Sequence, residues 1–177
     1  MQNRFLKFII IPIVLNFGFS KFPDAVSSNG MVVSSHALAS EVGVEILQQG
    51  GNAIDAAVAV GFALAVVHPG AGNIGGGGFM VIRFNDGFTT SIDFRETAPG
   101  LSNKNMFLDE DGEVVKGKSW QSAWAVGTPG TVAGLGYAHK KYGTQSWYRL
   151  LQPAIKLARY GHKIDYLNLS LLNDNYT

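Results

Sequence analysis

No cysteine occurs in the 177 residues, which excludes disulfides, thiolate catalysis and cysteine-ligated zinc. Charge is sparse: Asp, Glu, Lys and Arg make up 15% of the chain, with a formal net charge of +1. No cation cluster exceeds the pair Lys140-Lys141, so the basic footprint that nucleic-acid binding needs is missing. The four histidines, His36, His68, His139 and His162, are scattered, and no two share the i, i+4 spacing of a helical metal site. Each reads as a surface or packed histidine, and no metal is expected. No G-x-S-x-G occurs either, so a serine nucleophile elbow is absent.

Glycine, by contrast, is plentiful, and it concentrates in Gly70 to Phe79, "GAGNIGGGGF". Gly70-Ala71-Gly72-Asn73-Ile74-Gly75 spells G-x-G-x-x-G. A dinucleotide site needs a strand before the glycines and a helix after them, whose N-terminus holds the pyrophosphate. Here an apolar helical run enters and a strand pattern leaves. Four successive glycines also make a poor helix start, and no Lys-Ser/Thr follows to complete a P-loop. No NAD, FAD or other cofactor is expected. The glycines read instead as a place where a helix-to-strand connection passes close to other backbone.

Composition is otherwise that of a globular chain, with 46% hydrophobic residues. "MQNRFLKFIIIPIVLNFGFS" (1–20) carries Arg4 and Lys7 ahead of an apolar stretch and ends in small residues. That is the pattern of a secretory signal, and it predicts export, to the periplasm or beyond. The alternative is an uncleaved anchor, although the run falls short of the roughly 20 apolar residues of a spanning helix. Residues 21–177 are then the remaining portion, and they are expected to be an incomplete domain.

Along that portion, "MVVSS" (31–35) predicts a strand, with Ser35 capping the helix that follows. Leu38, Val42 and Ile46 recur every four residues, with Glu41, Glu45 and Gln49 on a different face, and Gly50-Gly51 ends this amphipathic helix. Asn52 and Asp55 open a second helix, whose run "AAVAVGFALAVV" (56–67) is apolar all round and predicts burial on every side. "FMVIRF" (79–84), the turn Asn85-Asp86-Gly87 and "TTSIDFRE" (89–96) predict a hairpin. Residues 101–118 read as a loop or short hairpin with Asp109, Glu110 and Asp111 on a solvated turn. Two more helices follow, one over 127–143 with Pro129 in its first turn, and one over 146–161 interrupted or restarted at Pro153. Leu167, Leu171 and Leu172 keep helical spacing to the end, which looks like a cut.

The most informative polar group is "DFRETAP" (93–99). Arg95 projects from the end of a predicted strand, where a guanidinium fork suits a carboxylate. Spacing alone also allows an ion pair of Arg95 with Asp93, Glu96 or a distant acid.

Together, "GNAIDAAVAVGFALAVVHPGAGNIGGGGFMVIRF", "DFRETAPG", "AVGTPGTVAGL…AHKKYGT" and "PAIKLARYG" resemble the N-terminal part of a gamma-glutamyltransferase (glutathione hydrolase). The likeness runs from about Met31 to Asp165. It implies an α+β chain, part of the four-layer αββα fold of N-terminal-nucleophile hydrolases, cut before the catalytic subunit. It also implies a precursor that cleaves itself into two subunits, the small one carrying a threonine nucleophile. Implied partners are that small subunit and glutathione or other gamma-glutamyl compounds. The acyl group passes to water, an amino acid or a peptide. The resemblance assigns Arg95 to the substrate alpha-carboxylate, with Glu96 beside it. Thr128, Thr131 and Thr177 do not sit in a self-cleavage context, so no catalytic residue is assigned, and the chain alone is expected to be inactive and marginally folded. A cephalosporin-acylase-like amidase and a non-catalytic remnant of a disrupted gene are the alternatives.

Overall fold

A computed structural model describes residues 25–175. The predicted export segment and Thr177 lie outside the described residues. In chain order come α1 (Ala37–Gln48), α2 (Ala53–Val67), β1 (Phe79–Arg83), β2 (Thr89–Asp93), α3 (Lys118–Gln121), a 3-10 turn (Ala123–Ala125), α4 (Thr131–Tyr142), α5 (Trp147–Tyr160) and α6 (Tyr166–Asn175). Helices and strands are thus mixed in one chain, as an α+β reading requires.

α1 follows its four-residue spacing: Val42 and Ile46 are buried, Leu38 is half-buried, and Glu41, Glu45 and Gln49 face solvent. Its N-cap is His36, not Ser35. The His36 Nδ1 accepts the Leu38 amide at 3.2 Å, filling the role a serine oxygen was expected to play. Residues 31–35 form no strand, because a strand needs a neighbour to pair its N–H and C=O groups and none is placed there among the described residues. Their burial still alternates: Val32 lies over Gly43 of α1, and Val33 is 82% exposed.

At the start of α2, Asn52 Oδ1 accepts the amides of Ile54 and Asp55, each at 2.9 Å, and Asp55 Oδ2 accepts the Asn52 amide at 3.0 Å. This reciprocal cap satisfies donors that the first helical turn leaves open. α1, α4 and α5 all pack on α2. They bury Val58, Ala59, Ala63 and Val67, but Ala57 is exposed and Phe62, Leu64 and Val66 are half-buried. Burial on every side is therefore not found among the described residues, since three neighbours cover only the arcs they touch.

Asp55 is fully buried. Its oxygens accept the Thr144 amide at 3.0 and 3.2 Å, the Thr144 hydroxyl at 2.6 Å and the Gln145 amide at 3.3 Å. The first turn of α2 is so tied to the link between α4 and α5. Burial acts to raise the Asp55 pKa, but the hydrogen bonds, the Thr144 hydroxyl first among them, outweigh it and hold the carboxyl below its usual range.

α5 runs unbroken through Pro153. A proline inside a helix costs about 3 kcal/mol, yet Leu150 and Ala154 on either side of it are both buried and α5 packs on α2, so tertiary packing holds the two turns in line. Pro129 precedes α4 instead of opening it, because the helix starts where the Gly130 and Thr131 amides find a common acceptor in the Gly76 carbonyl, at 2.7 and 3.0 Å. Helical structure continues in α6, whose Asn168 Nδ2 donates to the Val67 carbonyl at 2.8 Å.

β1 and β2 pair antiparallel, from Phe79 opposite Asp93 to Arg83 opposite Thr89. β2 ends at Asp93 and not at Glu96. The Asp93 Oδ1 captures the Arg95 amide at 2.9 Å, a local turn that draws the chain out of the ladder. Beyond it, one bridge between Leu108 and Val114 makes a short hairpin with Asp109, Glu110 and Asp111 at its exposed tip. Among the described residues no helix is long and apolar enough to cross a membrane.

Candidate functional site

The order predicted around the glycines holds: α2 enters at Val67 and β1 leaves at Phe79. No helix N-terminus follows them to receive a pyrophosphate. Their work is close approach. A Cβ on Gly77 would lie 2.6 Å from the Phe94 carbonyl oxygen, 2.7 Å from the Glu96 nitrogen and 2.8 Å from the Arg95 Cα. A Cβ on Gly130 would likewise collide with the Phe94 carbonyl. Real carbon–heteroatom contacts do not reach such distances, so only glycine lets two stretches of backbone close on the Phe94–Glu96 main chain.

Main-chain bonds complete the grip. The Phe94 amide donates to the Gly78 carbonyl at 3.0 Å, and Thr97 exchanges bonds of 3.2 and 2.8 Å with Thr128. Residues 94–97 are therefore bound at both ends, with Arg95 between them.

The Arg95 side chain is 61% exposed and that of Glu96 35%. Arg95 Nε lies 3.4 Å from Glu96 Oε2, and its Cζ is 5.9 Å from the Phe79 ring centroid. The ion-pair reading is thus realised with Glu96, while Asp93 bonds the Arg95 main chain. The pair uses one edge of the guanidinium. Among the described residues neither terminal nitrogen makes a hydrogen bond, which leaves a two-donor fork facing outward. The fork borders a cavity of about 580 Å³ whose lining includes Gly75, Glu96, Ser102, Phe107 and Trp124. A second cavity of about 500 Å³, lined in part by Asp93, Phe94, Thr128 and Tyr137, also borders Arg95. The arrangement can hold a carboxylate end-on through two parallel N–H···O bonds.

The remaining candidates are structural. His36 caps α1 and its Nε2 lies 3.4 Å from Asp165 Oδ2; His68 ends α2; His139 Nε2 sits 2.7 Å from the Gln145 carbonyl. Among the described residues no three acids or histidines are grouped to hold a metal ion. Thr128 pairs with Thr97, and Thr131 is buried at the start of α4. Sequence reading missed the partners of Asp55 and of Asn73, since both bonds span residues remote in the chain.

Fold and site thus define a mixed helix–strand chain that presents an exposed arginine fork next to a glycine-rich connection. The chain belongs to the gamma-glutamyltranspeptidase family, whose sequence profile matches residues 39–176. It is 58% identical over 135 residues to the glutathione hydrolase proenzyme of Escherichia coli (strain K12), covering 76% of this chain and 23% of that protein. With the glutathione hydrolase proenzyme of Pseudomonas sp. (strain A14) it shares 56% over 146 residues, covering 82% and 25%. The crystal structure of Helicobacter pylori gamma-glutamyltranspeptidase superposes with a TM-score of 0.82 at 53% identity, covering 86% of this chain and 44% of that one. The chain spans about a quarter of the length of these curated relatives.

Proposed function

We propose that residues 21–177 supply the N-terminal portion of the large subunit of a gamma-glutamyl-transferring enzyme. In this reading the chain takes part in a four-layer αββα N-terminal-nucleophile fold. Residues 1–20 direct its export, to the periplasm or beyond. The small subunit brings the threonine nucleophile. Its hydroxyl oxygen attacks the gamma-amide carbonyl of glutathione or a related compound. The C–N bond breaks, the amine leaves with a proton, and the acyl group passes from threonine to water, an amino acid or a peptide.

Arg95 holds the alpha-carboxylate throughout, and Glu96, by occupying Nε, turns the two terminal nitrogens toward it. The observation that carries this reading is the outward, unshared fork of Arg95 at the mouth of its cavity.

The test is Arg95→Lys in the full-length protein. Lysine keeps the charge and loses the fork, so kcat/KM for a gamma-glutamyl anilide should fall by about 1–3 kcal/mol in transition-state binding. An unchanged kcat/KM would make Arg95 merely structural. Faster turnover of a glutaryl anilide, which has the carboxylate but no alpha-amino group, would assign a cephalosporin-acylase-like amidase instead. A coding sequence with no self-cleaving threonine downstream would assign a remnant.

A further inference from the structure

We propose that Asn73 is a positioning residue for Arg95, acting through Thr131 and the Gly76–Gly78 backbone. The proposal rests on the reading of Arg95 as the carboxylate-binding group.

Asn73 does not touch Arg95, but every link between them is short. Its Oδ1 accepts the Gly76 amide at 2.8 Å and the Thr131 hydroxyl at 2.6 Å, while its Nδ2 donates to the Ala71 carbonyl at 3.2 Å. One side chain therefore folds the connection on itself and fastens it to the first residue of α4. Gly76 returns the bond: its carbonyl accepts the Gly130 and Thr131 amides, at a helix start that no side chain caps. The next residue, Gly77, presses on the backbone of 94–96, and Gly78 pairs with Phe94.

The near end of the connection is anchored independently, since the Gly72 amide bonds the His68 carbonyl at 2.8 Å at the end of α2. Asn73 is the joint between that fixed end and the part that bears on Arg95. Among the described residues the Arg95 guanidinium has Glu96, at Nε, as its one charged partner, so the direction of the fork is inherited largely from the main chain that carries it. Releasing Gly76 lets Gly77 and Gly78 shift and the fork swing away from the carboxylate.

A merely structural role would weaken all variants alike, so a double-mutant cycle separates the two. In the full-length protein, Asn73→Ala and Thr131→Val should each lower kcat/KM for a gamma-glutamyl anilide about 5- to 20-fold, mainly through KM, at unchanged subunit maturation. In an Arg95→Ala background the same changes should lower it less than about 2-fold, because the fork they position is gone. Thr131→Ser, which keeps the hydroxyl, should restore the parent value. If Asn73→Ala fails to mature, the Thr131 pair carries the same cycle. Equal losses with and without Arg95, or no rescue by serine, would overturn the proposal while leaving the function intact. No effect of Arg95→Ala itself would sink the functional reading, and the positioning role with it.

Discussion

The helical body and the arm that carries Arg95 keep their shape by different means. In the body, built from α1, α2, α4 and α5, Ile46, Val58, Val67 and Leu150 are among the most completely buried side chains, and the buried carboxylate of Asp55 is saturated with hydrogen bonds. In the arm, residues 70–128, Phe79, Val81, Leu101, Trp120 and Trp124 are all exposed. Apart from the hairpin's inner face, where Ile82 is buried and Met80, Phe84 and Ile92 pack against the core, its form comes from main-chain bonds and from glycines that admit a second backbone. The body should therefore respond to lost side chains, and the arm to added atoms at a few positions.

The largest contrast is expected between two aspartates that each organise a turn. Asp55→Ala removes the buried acceptor of the Asn52, Thr144 and Gln145 amides and should cost about 3–5 kcal/mol in urea unfolding. Asp109 accepts the Asp111 and Glu113 amides at an exposed tip, where water replaces it, and Asp109→Ala should cost less than about 1 kcal/mol. Equal losses would erase the distinction between the regions.

Within the arm, Gly77→Ala and Gly75→Ala test whether close approach is what matters. A methyl at Gly77 meets the backbone at Arg95 and should destabilise by about 1–3 kcal/mol, with substrate binding weakened as well. At Gly75 a Cβ meets nothing within 4 Å, so alanine should be neutral or stabilise by up to about 1 kcal/mol through the unfolded chain.

A gentler probe is acid. Because the folded Asp55 pKa is depressed, its contribution is complete above the unfolded value of 3.8 and is lost as pH falls below that through the folded pKa. Stability measured from pH 5 downward should therefore drop less in Asp55→Asn than in the parent protein. The main-chain bonds of the arm do not titrate, so the Gly77→Ala difference should stay constant over the same range.

What the residues announced on their own follows the same division. The period of α1, the Asn52–Asp55 start of α2, the hairpin turn at Asn85-Asp86-Gly87 and the helix-then-strand order around the glycines are local signals, and each was readable. So was the grouping of Arg95 with Glu96, which are neighbours in the chain. The ends of elements were harder. β2 stops at Asp93 because its own side chain takes the Arg95 amide, α4 starts after Pro129 because Gly76 supplies its cap, and α5 runs through Pro153 because the helix is packed on α2. Each of these outcomes is decided by an atom that helix or strand periodicity does not weigh, and in two of the three that atom lies far along the chain.

The bonds from Asp55 to Thr144 join residues 89 apart, and the whole apparatus around Arg95 lies inside the loop they close. For the folding chain this is a statement about entropy. The ends of a long segment must meet before the core of α2 and α5 rewards them, which places the closure late and makes folding slow relative to a simple helical bundle. The same logarithm makes the loop tolerant, since even doubling its length adds only about 0.6 kcal/mol. Extra residues inserted at the exposed tip beside Asp109 would lengthen the circuit without loosening its clasp. The arm can thus grow or be exchanged between relatives while the helical body keeps its fold.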